Sequence, residues 1–457
     1  MRFTQFLPLV TLASGFIIVD EDLFQTIEKS GKHILDTSQN VLDDALGEAT
    51  DAVKSVGDNV YHKIHHAGCD IESWLEGSPY ADDSFEDFKE EPNPPHRRPP
   101  HRKPPPKGKP RHPPHHQKPN LTVYELINES KYTTRLAKLI NEYDDLVETL
   151  NSTKANYTVF APTDAAFEKI PEHGKKPSKE FIKDLLLYHV SDKAYLARDV
   201  LQSYTIPTLY EPDKLGHGQR LTVRVTFKGP TINFYSRIVA VNIFGTNGVI
   251  HGIDSILVPP PRVIDIIDLL PGEFSTLELA LTKTGLLEKM NDTDYPHEGG
   301  TFFAPSNSAF KKLGPRLNAF LFSKYGEKYL RWLLEYHIVV NQTFYSDAFY
   351  DASSDDMHTD RPPSFHFDLP TMLHGRPLAV DVARYGPFIS IRINGFSRVT
   401  VHDGVASDGV IQVVSDVLVP PKKAGEHDIN WKGEEMGVEE FKERIDPYLD
   451  QEENLEL

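Results

Sequence analysis

A pattern that occurs twice constrains this chain more than any other feature. Thr158-Val159-Phe160-Ala161-Pro162-Thr163-Asp164-Ala165-Ala166-Phe167 returns as Thr301-Phe302-Phe303-Ala304-Pro305-Ser306-Asn307-Ser308-Ala309-Phe310. Downstream of each, an apolar run ends in Tyr-His, at Tyr188-His189 and at Tyr336-His337. A third stretch, Asn247-Gly248-Val249-Ile250-His251-Gly252-Ile253-Asp254, is echoed by Asp408-Gly409-Val410-Ile411-Gln412-Val413-Val414-Ser415. Three boxes in one order, at offsets growing from about 143 to about 161 residues, indicate a duplicated unit with loop insertions.

Each box has a local physical reading. Thr158 to Phe160 is a β-branched and aromatic run suited to a buried strand, and Pro162 stops it. Thr163 and Ser306 stand as N-caps whose hydroxyls satisfy free helix N–H groups, with Asp164 or Asn307 just inside the turn. Phe167 and Phe310 are placed to return to the core. Leu221 to Lys228 alternates strictly, as a strand with one wet face should. Asn247-Gly248 and Asp408-Gly409 read as turn pairs feeding Val/Ile-rich strands. Helices come first and strands later, so each repeat is α+β. His189 and His337 are expected to be buried, with ring nitrogens bonded to backbone carbonyls across the early box. A general base is disfavoured because nothing nearby supplies a nucleophile or an orienting acid.

These boxes resemble fasciclin-type domains, whose marks are an early TVFAPT(D/N)xAF box, a central Tyr-His and a late NGVIHxID box. The resemblance covers about residues 120–260 and 262–421. It implies two tandem fasciclin-like domains, 120–261 and 262–421, each a β-wedge or sandwich with packed helices. It also implies a structural role for the motif positions. In the first copy these are Thr158, Phe160, Ala161, Pro162, Thr163, Phe167, Tyr188, His189, Asn247, Gly248, His251 and Asp254. In the second they are Thr301, Phe303, Ala304, Pro305, Phe310, Tyr336, His337, Asp408 and Gly409. The second copy departs from the pattern: Gln412 replaces the late-box histidine and Ser415 stands where the first copy has Asp254. The second copy also carries a longer acidic insert around Asp347 to Asp360.

The flanks differ in composition. Arg2, the apolar run Phe6 to Leu12 and the small residues Ala13, Ser14 and Gly15 read as a signal peptide over residues 1–18. Sequons at Asn120, Asn128, Asn151, Asn156, Asn291 and Asn341 agree with secretory entry and are candidate glycosylation sites. Residues 19–91 are acidic and helical in pattern, with Leu42, Ala45, Leu46, Ala49, Val53, Val56, Val60 and Ile64 on one apolar face. Residues 92–119 are rich in Pro, His, Lys and Arg and hold no acid, so they read as an extended spacer. That spacer either attracts acidic polysaccharide or anionic lipid, or serves as a plain linker. The acidic tail, 422–457, is expected to fold back on the spacer or to stay disordered. It has no hydrophobic end of the kind a lipid-anchor signal needs.

The net charge of −18 argues against general nucleic-acid binding. A single cysteine, Cys69, excludes an intramolecular disulfide scaffold and a multi-thiolate zinc site. No stretch approaches the ~20 apolar residues of a membrane span. There is no G-x-S-x-G elbow, P-loop or H-E-x-x-H, and no catalytic, cofactor or metal residues are assigned. His62, His65, His66 and Cys69 have metal-like spacing without a second ligand pair. Asp351, Asp355, Asp356 and Asp360 lack the central Gly and terminal Glu of a calcium loop, and read as a solvated acidic loop.

Three functions stay open. The expectation is a secreted, non-enzymatic interaction protein of cell-adhesion, extracellular-matrix or cell-wall type. Its partner would be an extracellular protein, a polysaccharide or an anionic lipid surface. The alternatives are a lumenal or vacuolar membrane-associated factor, and an enzyme with an unrecognised site. Oligomeric state is left open.

Overall fold

The computed structural model describes residues 119–455 except 171–176, 227–228, 292–296, 353–363, 374–375, 386–387, 425–426, 430 and 432–435. The expected signal peptide, amphipathic segment and basic spacer, with His62, His65, His66 and Cys69, lie outside the described residues.

The first repeat opens with three short helices, α1 (Val123–Glu129), α2 (Thr134–Ile140) and α3 (Asp144–Asn151). Thr122 starts α1 in a reciprocal cap: its hydroxyl accepts the Glu125 N–H while the Glu125 carboxylate accepts the Thr122 N–H. There follow β1 (Tyr157–Pro162), α4 (Asp164–Glu168), α5 (Lys179–Tyr188), β2 (Val190–Ser191) and α6 (Ala197–Gln202). The chain then turns to strands: β3 (Thr205–Pro207), β4 (Arg220–Thr226), β5 (Gly229–Ile232), β6 (Ser236–Gly245) and β7 (Gly248–Ile253). They form one sheet in the order β2-β1-β7-β6-β5-β4-β3. β1 and β7 are its parallel pair, which sets Phe160 beside His251 and Pro162 beside Ile253. The early and late boxes, far apart in sequence, are therefore neighbours. Leu209 N–H donates to Val190 O at 2.8 Å, so the segment after β3 reaches β2 and nearly closes the sheet.

The second repeat follows the same plan. Its helices are α7 (Val263–Leu269), α8 (Pro271–Lys283), α9 (Leu286–Asn291), α10 (Asn307–Lys312), α11 (Pro315–Leu321) and α12 (Glu327–Glu335). Its strands are β8 (Gly300–Pro305), β9 (Ile338–Val340), β10 (Gln342–Phe344), β11 (Phe349–Asp351), β12 (Ser364–Pro370), β13 (Pro377–Tyr385), β14 (Phe388–Ile393), β15 (Ser397–Ala406) and β16 (Gly409–Val414). The sheet order is β12-β13-β14-β15-β16-β8-β9, with β8 and β16 parallel, and β10 pairs with β11 separately. Met372 N–H to Ile338 O, 2.8 Å, repeats the closure. Both repeats are α+β, as the helix-then-strand pattern implies.

Because successive strand residues face opposite ways, β1 serves two cores. Val159 joins Val123, Leu136 and Leu150 beneath the helices, while Phe160 joins Tyr188, Ile206 and Leu221 on the other side.

Three expectations are corrected. Arg220, Leu221, Thr222 and Val223 are all buried, so β4 has no wet face along its first half; the second repeat covers it. Gly245 pairs with Gly248, and Ala406 with Gly409, so the turn residues are Thr246-Asn247 and Ser407-Asp408. The glycines open the strands instead, because a Cβ on Gly248 would lie 2.2 Å from Tyr157 O and one on Gly409 2.5 Å from Gly300 O. The acidic tail, expected to fold back on the spacer or to stay disordered, has regular structure among its described residues, while the spacer lies outside them. The tail forms a hairpin, β17 (Lys422–Ala424) with β18 (His427–Ile429), then helix α13 (Val438–Leu455). Val438, Phe441 and Ile445 make an apolar stripe within this acidic segment; Phe441 and Ile445 are fully buried in the second core. Tyr329 donates to Asp446 at 2.8 Å to hold the helix there.

Candidate functional site

The motif residues converge where the parallel strands meet, and their polar groups are engaged internally. Thr158 donates to Lys193 O at 2.6 Å and accepts Tyr195 N–H at 2.7 Å. Thr301 does the same with Gln342 O and Phe344 N–H, both at 2.8 Å. Asp164 accepts the N–H groups of Thr134 and Arg135, capping α2 rather than its own helix. Asn307 likewise accepts Thr276 N–H of α8 at 2.8 Å. Ser306 caps its own helix by accepting Ala309 N–H, but the Thr163 side chain makes no such bond, which corrects that expectation. Phe310 is buried and Phe167 half-buried.

Both Tyr-His pairs are enclosed. His189 Nδ1 lies 2.7 Å from Leu185 O, and its Nε2 accepts Leu257 N–H at 2.9 Å. His337 has Leu333 O at 2.7 Å and Leu418 N–H at 2.8 Å. The ring contacts are therefore to each residue's own helix and to the segment after the late strand, not to early-box carbonyls. Only the backbone reaches the early box: His189 O accepts Phe160 N–H, and His337 O accepts Phe303 N–H. Burial pushes both imidazoles down to about 4, so they are neutral at pH 7. With both ring nitrogens held by backbone, neither is placed for proton transfer. Tyr188 donates to Arg220 O and accepts from Asn233; Tyr336 faces Pro377 O and accepts from Asn394. The two asparagines occupy left-handed backbone, with φ of 49° and 52°.

The late box shows how the second copy compensates for its departures. His251 Nδ1 faces Asn242 N–H and its Nε2 lies 2.8 Å from Tyr195 O. Gln412 reproduces both contacts with an amide: Oε1 accepts Asp403 N–H at 3.1 Å, and Nε2 donates to Phe344 O at 2.8 Å. Asp254 accepts from Arg237 and pairs with Lys169 at 3.4 Å. In the second copy the acid has moved one residue: Ser415 accepts Arg398 N–H, and Asp416 pairs with Lys312 at 3.0 Å. Asn247 accepts Val123 N–H and donates to Leu150 O and Ser152 O; Asp408 accepts Val263 N–H. Among the sequon asparagines, Asn120, Asn128, Asn151, Asn156 and Asn341 are exposed, while the Asn291 side chain lies outside the described residues.

A second constellation, absent from the sequence reading, joins the two repeats. Arg220 of β4 donates to Thr205 Oγ1 at 2.6 Å and to Tyr350 OH at 2.7 Å, and lies 3.7 Å from Asp347. Its guanidinium is flanked by the Tyr345 and Tyr350 rings. Burial opposes its charge, yet Asp347 and the two tyrosines raise its pKa above the ordinary value. Asp347 accepts the N–H groups of Tyr204 and Thr205 at 3.0 and 2.7 Å. It is thus fixed between the repeats, and the acidic insert does not begin as a solvated loop. Asp351 accepts from Gln342 on the β10–β11 pair, while Asp355, Asp356 and Asp360 lie outside the described residues. Further along, Thr222 donates to Asp403 O, Gln219 to Ala406 O and Arg224 to His402 O. Burial would raise the Asp403 carboxyl, but His402, Arg224 and Ser346 hold it well below the usual range. Tyr204 of the first repeat packs inside the second repeat's core. The one available signal was the charge on Arg220 and Arg224, which a strand with a wet face explains equally well.

Among the described residues no group of three or more His, Cys, Asp or Glu is placed to hold a metal ion. Nor is any described helix long and apolar enough to cross a membrane.

Comparison with known proteins places this architecture. Aurofusarin biosynthesis cluster protein S of Gibberella zeae is 28% identical over 366 residues, covering 74% of this chain and 89% of that protein. Transforming growth factor-beta-induced protein ig-h3 of Sus scrofa is 29% identical over 214 residues, 43% of this chain. Periostin of Homo sapiens is 26% identical over 277 residues, 58% of this chain. The chain spans only 30% and 29% of the lengths of those two animal proteins. A solved FAS1 domain pair from the insect cell adhesion molecule Fasciclin I aligns over 62% of this chain and 96% of its own, at 17% identity and a TM-score of 0.30. The family model described as Fasciclin domain matches residues 131–259 and 272–420, more than half of the sequence, and the chain belongs to that family.

Proposed function

We propose that this chain is a secreted, non-enzymatic interaction protein of adhesion, extracellular-matrix or cell-wall type. Fasciclin domains occur in adhesion and extracellular-matrix proteins. The observation that carries the reading is the double engagement of the motif polar groups. In both copies Thr158/Thr301, Tyr188/Tyr336, His189/His337 and His251/Gln412 bond to their own domain. What remains for recognition is the outer surface of a joined pair of domains. The basic spacer would add affinity for acidic polysaccharide or anionic lipid, and the exposed sequons at Asn120, Asn128, Asn151, Asn156 and Asn341 would carry glycan. The test is fractionation of the tagged protein in its native source, with glycosidase treatment and binding to heparin and to anionic vesicles. Glycosylated protein in the medium or at the cell surface, with salt-sensitive binding lost on deleting residues 92–119, is the expected result. Unglycosylated protein confined to the cytosol would overturn it.

A second reading is favoured by one relative. The Gibberella zeae protein, most of whose length this chain spans, is named for a biosynthetic cluster. An accessory, non-catalytic part in a biosynthetic system would be consistent with the same fold.

A further inference from the structure

Gly300 stands where the first repeat has Tyr157. Each opens the early strand, and each has its carbonyl against the glycine that opens the late strand. Tyr157 is 9% exposed and belongs to the cluster of Val123, Val159 and Val190, with Leu209 packed against it. The counterparts in the second repeat are Val263, Phe302, Ile338 and Met372. The matches follow from bonding: Val123 and Val263 each donate to the turn residue, and Leu209 and Met372 each donate to the first residue of the short second strand. These four residues and Gly300 line a cavity of about 70 Å³. Leu286, Lys289, His297 and Thr301 also line this space, which opens to solvent on one side.

The cavity also differs from the first repeat in its polar wall. Asn247 donates its amide to two carbonyls, whereas Asp408 in the same place has no amide and accepts Val263 N–H, with burial raising its carboxyl above the ordinary range. Glycine is required at 300, since a Cβ would lie 2.9 Å from Val339 O. Met290 and Met372 add thioethers to the wall, and sulfur makes favourable contacts with aromatic rings.

We propose that this cavity binds a small phenol. Its ring takes the place that the Tyr157 side chain has in the first repeat, and its hydroxyl donates to Asp408. The site is independent of the adhesion reading, which concerns the outer surface.

The test is calorimetric titration of the full chain with p-cresol and, separately, with toluene. Saturable p-cresol binding, at least about tenfold tighter than toluene, is expected. Met372→Trp fills the cavity and should weaken p-cresol binding by about tenfold or more. Val340→Phe fills it from another wall and serves if the tryptophan variant loses its cooperative melting transition. Asp408→Asn installs the residue the first repeat carries there, and should remove the preference for p-cresol while keeping toluene binding. No saturable binding, binding undiminished in the filled variants, or equal affinity for the two probes would each overturn the proposal.

Discussion

At the scale of single residues, the two copies act as controls for one another. His251 and Gln412 meet the same two backbone groups, one with an imidazole and the other with an amide. Burial holds His251, like His189 and His337, down to about 4. A histidine whose folded pKa lies below its ordinary 6.5 contributes stability that is present above pH 6.5 and is lost as pH falls towards 4. His251→Gln should therefore change stability at pH 7 by no more than about 1 kcal/mol, and should flatten its decline between pH 6.5 and 4. Urea titrations at several pH values measure both. His189→Ala has no such substitute: it strands Leu257 N–H, and should cost about 1–3 kcal/mol at pH 7. If the alanine variant melts like the unaltered chain, the imidazole is not bonded as described.

Between elements, the early box joins helix to strand by capping at a distance. Asp164 takes two N–H groups at the start of α2, thirty residues upstream, and Asn307 takes one, that of Thr276 within α8. Asp164→Ala should cost about 0.5–2 kcal/mol in a denaturant titration, and Asp164→Asn much less, since the second copy already uses asparagine. Features that depend on neighbours in the chain were legible from the residues. The β-branched run made β1 recognisable, and the apolar steps before Tyr-His marked α5 and α12. What crosses between elements was not. Asp164 reads equally well as a first-turn acid of its own helix, because a carboxylate near any helix start is favourable. Strict alternation along β4 established which residues share a face, but not that another domain covers the polar one. The tail misled for a related reason: its acidic composition outweighed three apolar residues at helical spacing.

For the whole molecule, the contact between Arg220 and Asp347 decides whether two domains behave as one. Removing one partner of a buried pair costs about 3–5 kcal/mol, chiefly from the charge left behind. Asp347→Ala strands a buried guanidinium, whereas Arg220→Met leaves a carboxylate that still accepts two backbone N–H groups. The aspartate change should be the more damaging, and should split a single calorimetric transition into two. A single unsplit transition in both variants would show that the pair contributes nothing to coupling. The same contact sets how long such a stack can grow. The two repeats use different faces, and unlike faces joined head to tail could in principle add units without limit. Where the first repeat offers Arg220 and Arg224, the second has Pro377 and Asp381, and where the second offers Asp347, the first has Arg198. A further copy of either repeat docking through these same faces would meet a missing or reversed charge, so the contact that joins the two repeats does not propagate itself.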